Sequence, residues 1–171
     1  MSSRILLLSL LAIAFIGCKE EVVSEAEPCH SIHHSDIDIS LKSMDDYAAM
    51  RWEDHRATYT DSGTVHVNSL DPSQLKGIDE SIEGYKAQRE SGVWSEFFWT
   101  GRAADRVILD YPGLDPEPWV FVWGTWNGVL AESGDTIRSA VHISNRMSED
   151  GLIKYHYVNI DRAPIVGALF R

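Results

Sequence analysis

Cysteine is scarce in this chain: 171 residues carry two, Cys18 and Cys29. That leaves disulfides little part in holding a domain together. Positive charge is short as well, with 15 basic residues against 26 acidic and a net charge of -11. Such a balance argues against nucleic acid or a bare anionic membrane surface as partner, though not against a local positive pocket. No apolar run is long enough to span a bilayer. The longest, Ile5 to Ile16, has 12 residues, where a hydrocarbon core of ~30 Å needs about 20 in a helix. There is no glycine-rich phosphate loop, serine nucleophile elbow, zincin motif, internal repeat or low-complexity segment. The chemistries those features serve therefore have no support here.

What is present begins with an export signal. Arg4 precedes the apolar run, Gly17 and Cys18 follow it, and Lys19-Glu20-Glu21 turns the chain polar. Phe15-Ile16-Gly17-Cys18 resembles the lipobox of bacterial lipoproteins. The resemblance implies cleavage before Cys18 and acylation of that cysteine, because several acyl chains anchor stably where one holds only marginally. Lys19 after the cysteine implies the outer membrane, facing the periplasm, rather than retention at the inner one. Loss of residues 1–17 removes Arg4 as the only charged side chain, leaving 154 residues with a charge of -12, enough for one domain. With Cys18 acylated, Cys29 has no partner within the chain.

Residues 18–36 read as a polar, flexible tether. Cys29-His30-Ser31-Ile32-His33-His34 holds metal-ligand types, but nothing completes a four-ligand shell, so no metal site is assigned. The domain is expected over 37–171. Met44, Tyr47, Ala48, Arg51, Trp52, His55 and Tyr59 recur at helical spacing and predict a helix over 40–58. Asp61-Ser62-Gly63 interrupts it, and Thr64 to Asn68 alternates as a short strand. Asp71-Pro72 opens a turn or helix. Ile78, Ile82, Tyr85 and Arg89 predict a helix ending near Ser91-Gly92, and the form of Val93 to Thr100 stays open. Strands are predicted over 106–111, 119–131, 137–147 and 152–160, the second bent at Gly124 or Gly128. Their short connections make them antiparallel. Helices first and a meander after describe an α+β domain with helices on one face of a curved, antiparallel-rich sheet.

Four segments carry a family resemblance. Gly77-Ile78-Asp79-Glu80-Ser81-Ile82 resembles a glycine-led second-helix opening. Gly124-Thr125-Trp126-Asn127-Gly128 resembles a Gly-Thr-His-Thr-Gly central strand. Glu149-Asp150-Gly151-Leu152-Ile153 resembles an acidic-Gly-Lys-Ile turn, and His156-Tyr157 with Asp161 resembles a His-Trp-Asp-x-x-Asp ending. Together they are similar to the SnoaL-like proteins of the NTF2-like superfamily over about residues 40–170. The resemblance implies a cone-shaped (cystatin-like) fold: a curved mixed sheet wrapped around helices, with an apolar pocket inside and dimers often formed through the sheet. It implies no cofactor and no single reaction, since members include cyclases, isomerases, dehydratases, hydrolases and binders. Two positions depart from the cyclase pattern. Val158 stands where an acid/base carboxylate would be, and Trp126 replaces the central histidine.

Candidate catalytic residues are His156 on the last strand and the pair His66 and Asp61. Asp61 resembles an aspartate common after the family's first helix, and a His–Asp pair can orient an imidazole as a base. Candidate ligand contacts are Tyr47, Tyr59, Trp126 and Tyr155 from the large aromatic supply, with Arg51, His142 and Asn145 as polar groups. The leading expectation is a lipid-anchored envelope protein whose pocket binds a small apolar or aromatic molecule. One alternative is a cofactor-free isomerase, dehydratase, cyclase or hydrolase; another is a protein-interaction subunit of the envelope. A homodimer through the sheet is the expected assembly.

Overall fold

A computed structural model of the chain describes residues 30–69 and 71–169. The signal, Cys18 and Cys29 lie outside the described residues. The folded part begins before Ile37: His30–Ser31 forms a short strand, β1, paired with Arg106 and Val107, and helix α1 spans Ser35–Ala48. Residues 30–36 are therefore not tether. His34 caps α1, its Nδ1 accepting from the Asp36 N–H at 3.1 Å. Asp36 and Asp38 then suit the positive end of the helix. The Asp36 carboxylate is buried and accepts from the Arg106 guanidinium at 2.9 Å, which ties the start of the fold to the sheet.

The single helix expected over 40–58 is two. Helix α2 covers Trp52–Ala57, and between them Met50 takes a left-handed conformation with φ of 59°. Helical spacing runs through this break because both helices face one core: the Tyr47 ring meets Trp52 at 6.2 Å and His55 at 6.1 Å. The corner is fastened at Asp46, which is buried and accepts from Arg51 Nη2 at 2.6 Å and Lys42 Nζ at 2.5 Å. Burial alone would raise the pKa of this carboxyl, but the two cations outweigh it and hold it below the usual range.

Strand β2 (Tyr59–Val67) starts earlier than expected and absorbs Asp61-Ser62-Gly63 as a register shift. Asp71 caps only a 3-10 turn over Pro72–Gln74; after the two-residue strand β3 (Lys76–Gly77), helix α3 runs Ile78–Glu90. Strand β4 spans Trp94–Leu109, joining the open segment to the short strand expected over 106–111. It bulges between Thr100 and Ala103, where Gly101 has φ of 59°. Asn127 is buried there, donating to Phe98 O, Thr100 Oγ1 and Thr125 O. Such a bulge bends a sheet. Strands β5 (Glu117–Leu130), β6 (Thr136–Met147) and β7 (Ile153–Ile160) complete a sheet ordered β1-β4-β5-β6-β7-β2-β3. All pairs are antiparallel except β2 with β7, which are parallel, with Val65 beside His156. A seven-residue helix not anticipated from the sequence, α4 (Ala163–Leu169), is the last of the described elements.

Alternation along the strands gives the sheet two faces. Val120, Val122, Trp126, Val141, Ile143 and Met147 are buried on the inner face, against the helices that contribute Ile37, Met44, Ile78 and Ile82. Fully burying such a side chain is worth about 1.5–3 kcal/mol. The architecture is α+β, a curved mixed sheet wrapped around helices. Among the described residues no helix is long and apolar enough to cross a membrane.

Candidate functional site

The curved sheet and its helices enclose a cavity of about 360 Å³, within the usual size of a small-ligand pocket. Helix α1 supplies Ser43, Met44 and Tyr47, α2 supplies His55, and α3 supplies Tyr85 and Gln88. The sheet adds Trp99, Trp126, Val141, Ile143, His156 and Val158 from four neighbouring strands. Arg162, Ile165 and Val166, at and after the end of β7, stand at its rim.

One glycine makes the aromatic wall. A Cβ on Gly128 would lie 2.7 Å from the Trp94 ring and also collide with Trp126. Its absence lets those indoles meet edge to face at 5.3 Å, with Phe97 against Trp126 at 4.9 Å. The Trp99 indole N–H donates to Met44 O at 3.0 Å and so fixes β4 to α1 beside the cavity.

Two imidazoles form the deep end, His55 only 3% and His156 only 7% exposed. His55 Nδ1 lies 2.9 Å from the Ser43 carbonyl oxygen. A carbonyl only accepts, so Nδ1 carries the proton, and the buried Nε2 has a lone pair with no partner among the described residues. His156 Nδ1 lies 2.6 Å from the Asn145 amide oxygen, which fixes the same tautomer by the same logic. Burial pushes the His156 pKa down to about 3, with His55 adding to the effect. Burial also lowers His55, against the opposing bond to Ser43. Both rings are thus neutral acceptors at neutral pH. Burial raises Tyr47 and Tyr59 and lifts Tyr85 to about 12, so the nearby phenols keep their protons.

Of the residues singled out from the sequence, Tyr47, Trp126 and His156 line the cavity. Tyr59 and Asn145 sit one layer behind: Tyr59 packs on His55 at 5.2 Å and on His156 at 5.8 Å, while Asn145 orients His156. The others lie elsewhere. Arg51 is spent on Asp46. Asp61 is fully exposed beside Arg56 and makes no pair with His66. His66 points away from the cavity because its neighbours Val65 and Val67 point in; its Nδ1 meets the Tyr155 hydroxyl at 3.2 Å. His142 is also on the outer face, stacked against Phe121 at 5.9 Å and Trp123 at 5.3 Å. That face carries a row of rings, Trp119, Phe121 and Trp123, with Trp123 44% exposed.

Sequence reasoning missed His55, Ser43 and Arg162 as cavity residues. His55 entered only as one tooth of a helical repeat, and its partner Ser43 lies in the preceding helix. The signal available was a histidine among Tyr47, Trp52 and Tyr59 on one helical face. Asp161 orders the end of β7: its backbone oxygen accepts from Ser139 Oγ, and its carboxylate accepts from the Ala163 N–H at 3.0 Å, which starts α4 and sets Arg162 at the rim.

No protein-family model matches the chain, and no curated protein does. Solved structures do. IdmH of Streptomyces antibioticus, a candidate polyketide cyclase, superposes with a TM-score of 0.59 at 11% identity, over 80% of this chain and 99% of that one. A candidate SnoaL-like polyketide cyclase from Shewanella denitrificans gives 0.58 at 9% identity, over 80% and 98%. A phenazine biosynthesis-related protein from Pseudomonas aeruginosa gives 0.56 at 13% identity, over 79% and 80%. At such identities the likeness speaks for fold alone, and the fold is the cone-shaped NTF2-like one seen in SnoaL-like proteins.

Proposed function

We propose that this chain binds a small apolar or aromatic molecule inside the cone and is held to the outer membrane by acyl chains on Cys18. The observation that carries the binding reading is the cavity of about 360 Å³, walled by Trp126, Tyr47 and aliphatic strand residues and closed at depth by two neutral imidazoles. Apolar walls give affinity, and a few fixed polar groups give orientation. The anchor reading rests on the Phe15-Ile16-Gly17-Cys18 segment. It predicts that Cys18→Ser releases the protein from membranes, and recovery of that variant in the membrane fraction contradicts it. In the same reading two copies pair through the outer sheet face, where Trp123 stands exposed.

A second reading, a cofactor-free isomerase or cyclase, is favoured by the neutral His156 imidazole at the cavity wall, whose Nδ1 is held by Asn145. Removal of a proton beside a ligand carbonyl needs such a base, and a protonated tyrosine such as Tyr85 suits the developing oxyanion. The magnitudes place this reading second. A base works best with a pKa near the working pH, and His156 sits at about 3.

Calorimetric titration of the full chain with one- to three-ring aromatic compounds tests the binding reading. The expected result is one-to-one binding with a negative heat-capacity change, lost when Val158→Trp fills the cavity. Absence of binding, or binding indifferent to Val158→Trp, contradicts it. Deuterium uptake from solvent into a bound carbonyl compound, lost in His156→Gln, would move the enzyme reading to first place.

A further inference from the structure

The charges around the cavity are one-sided. The chain has 26 acidic residues, yet among the described residues no aspartate or glutamate lines the cavity, and the one charged lining residue is Arg162. Arg51, Arg56, Arg102, Arg106 and Arg146 each hold a carboxylate. Among the described residues Arg89, Arg138 and Arg162 hold none, and Arg138 belongs to the outer face. Asp161, next to Arg162, is engaged with the backbone of α4. Arg89 adds a second cation behind the wall. Its guanidinium lies 4.1 Å over the Phe97 ring, its Nη1 is buried without a partner among the described residues, and Phe97 stacks on the cavity residue Tyr47 at 5.9 Å.

The two ends of the cavity therefore ask for different chemistry. At depth, His156 presents a lone pair, which repels an anion and accepts from a hydroxyl or N–H, and neutral His55 lies beside it. At the rim, Arg162 is exposed and, among the described residues, meets no carboxylate, so an acid placed there keeps part of its hydration and gains a charge-assisted bond. A carboxylate carried inward would lose both. We infer that the guest of this cavity is an amphipathic acid, an apolar aromatic body inside the cone with its anionic group at the rim against Arg162. The inference rests on the cavity-binding reading above and adds to it the class and the direction of the ligand.

Two fluorescent probes of similar aromatic body separate the claims: anionic 1-anilinonaphthalene-8-sulfonate and neutral N-phenyl-1-naphthylamine, titrated into the full chain and into Arg162→Gln, Arg162→Glu and Val158→Trp. Val158→Trp abolishes binding of both probes. Arg162→Gln weakens the anionic probe about fivefold and changes the neutral one by less than about twofold. Arg162→Glu weakens the anionic probe further, and added salt erodes its advantage in the parent chain. If Val158→Trp abolishes both but Arg162→Gln leaves the anionic probe unchanged, or weakens both equally, the acid class is overturned while the cavity reading stands. If both probes bind Val158→Trp as they bind the parent, the site is not the cavity and both readings fall. Val141→Phe fills the same space from β6 and stands in should Val158→Trp fail to fold.

Discussion

The two faces of the sheet use the same residue types for opposite ends. Inside, His156 is buried, hydrogen-bonded to Asn145 through one nitrogen and turned to an enclosed space through the other. Outside, His142 lies in a row of rings between Phe121 and Trp123 that faces away from the helices. Trp126 is 4% exposed and walls the cavity, whereas Trp123, three residues earlier, is 44% exposed. Residue type therefore says little about role in this domain; the strand face, set by register and bulges, says most. An inner polar group also costs desolvation, and the bonds to Ser43 O and Asn145 Oδ1 offset part of that cost while fixing the tautomer of each ring.

The largest loss is expected from Gly128→Ala, because the added methyl has no space between Trp94 and Trp126. A loss of about 3 kcal/mol in urea unfolding is expected; a loss below about 0.5 kcal/mol would mean the aromatic wall is loose. Next comes acidity. The folded pKa of His156 lies below its ordinary 6.5, so its contribution to stability is fully present above 6.5 and is lost as pH falls toward about 3. By linkage this removes about 2 kcal/mol between pH 6.5 and pH 5, with His55 adding in the same direction. His156→Gln flattens most of that slope, and His142→Gln leaves it in place. A parent chain equally stable at both pH values would contradict the buried neutral imidazole. Asn145→Ala is expected to cost about 1 kcal/mol and to release the His156 tautomer, seen as a change in imidazole ¹⁵N shifts. Unchanged shifts would deny Asn145 its orienting role. The smallest effect belongs outside: Trp123→Ala changes stability by less than about 0.5 kcal/mol and leaves guest affinity as it was. If copies pair through this face, Trp123→Glu gives a smaller species in sedimentation velocity, and unchanged sedimentation contradicts the pairing.

The sequence made the larger elements legible where local chemistry and the core agree. Helix α3 shows as Ile78, Ile82, Tyr85 and Arg89 between glycines, and β5 to β7 show as alternating runs parted by short polar turns. The left-handed Met50 was hidden because the residues on either side of it serve one core. Strand faces were hidden for a related reason. Alternation has a fixed period, but its phase depends on bulges such as those after Tyr59 and Thr100, which no residue pattern announces. His66 and Asp61, close in sequence, are kept apart by the first of those bulges. His156 could be named as a candidate from its strand; His55 could not, because its partner Ser43 reaches it only through the corner at Met50. Helix α4 was too short, at seven residues, to leave a periodic trace.

Guest binding depends on a hollow cone, and crystals of the chain soaked with a library of small aromatic compounds probe that hollow without an intermediary readout. The expected result is a ring in density against Trp126 with a donor group turned toward His156. Compounds found only along Trp119 and Trp123 on the outer face, with the interior closed by packed side chains, would contradict it.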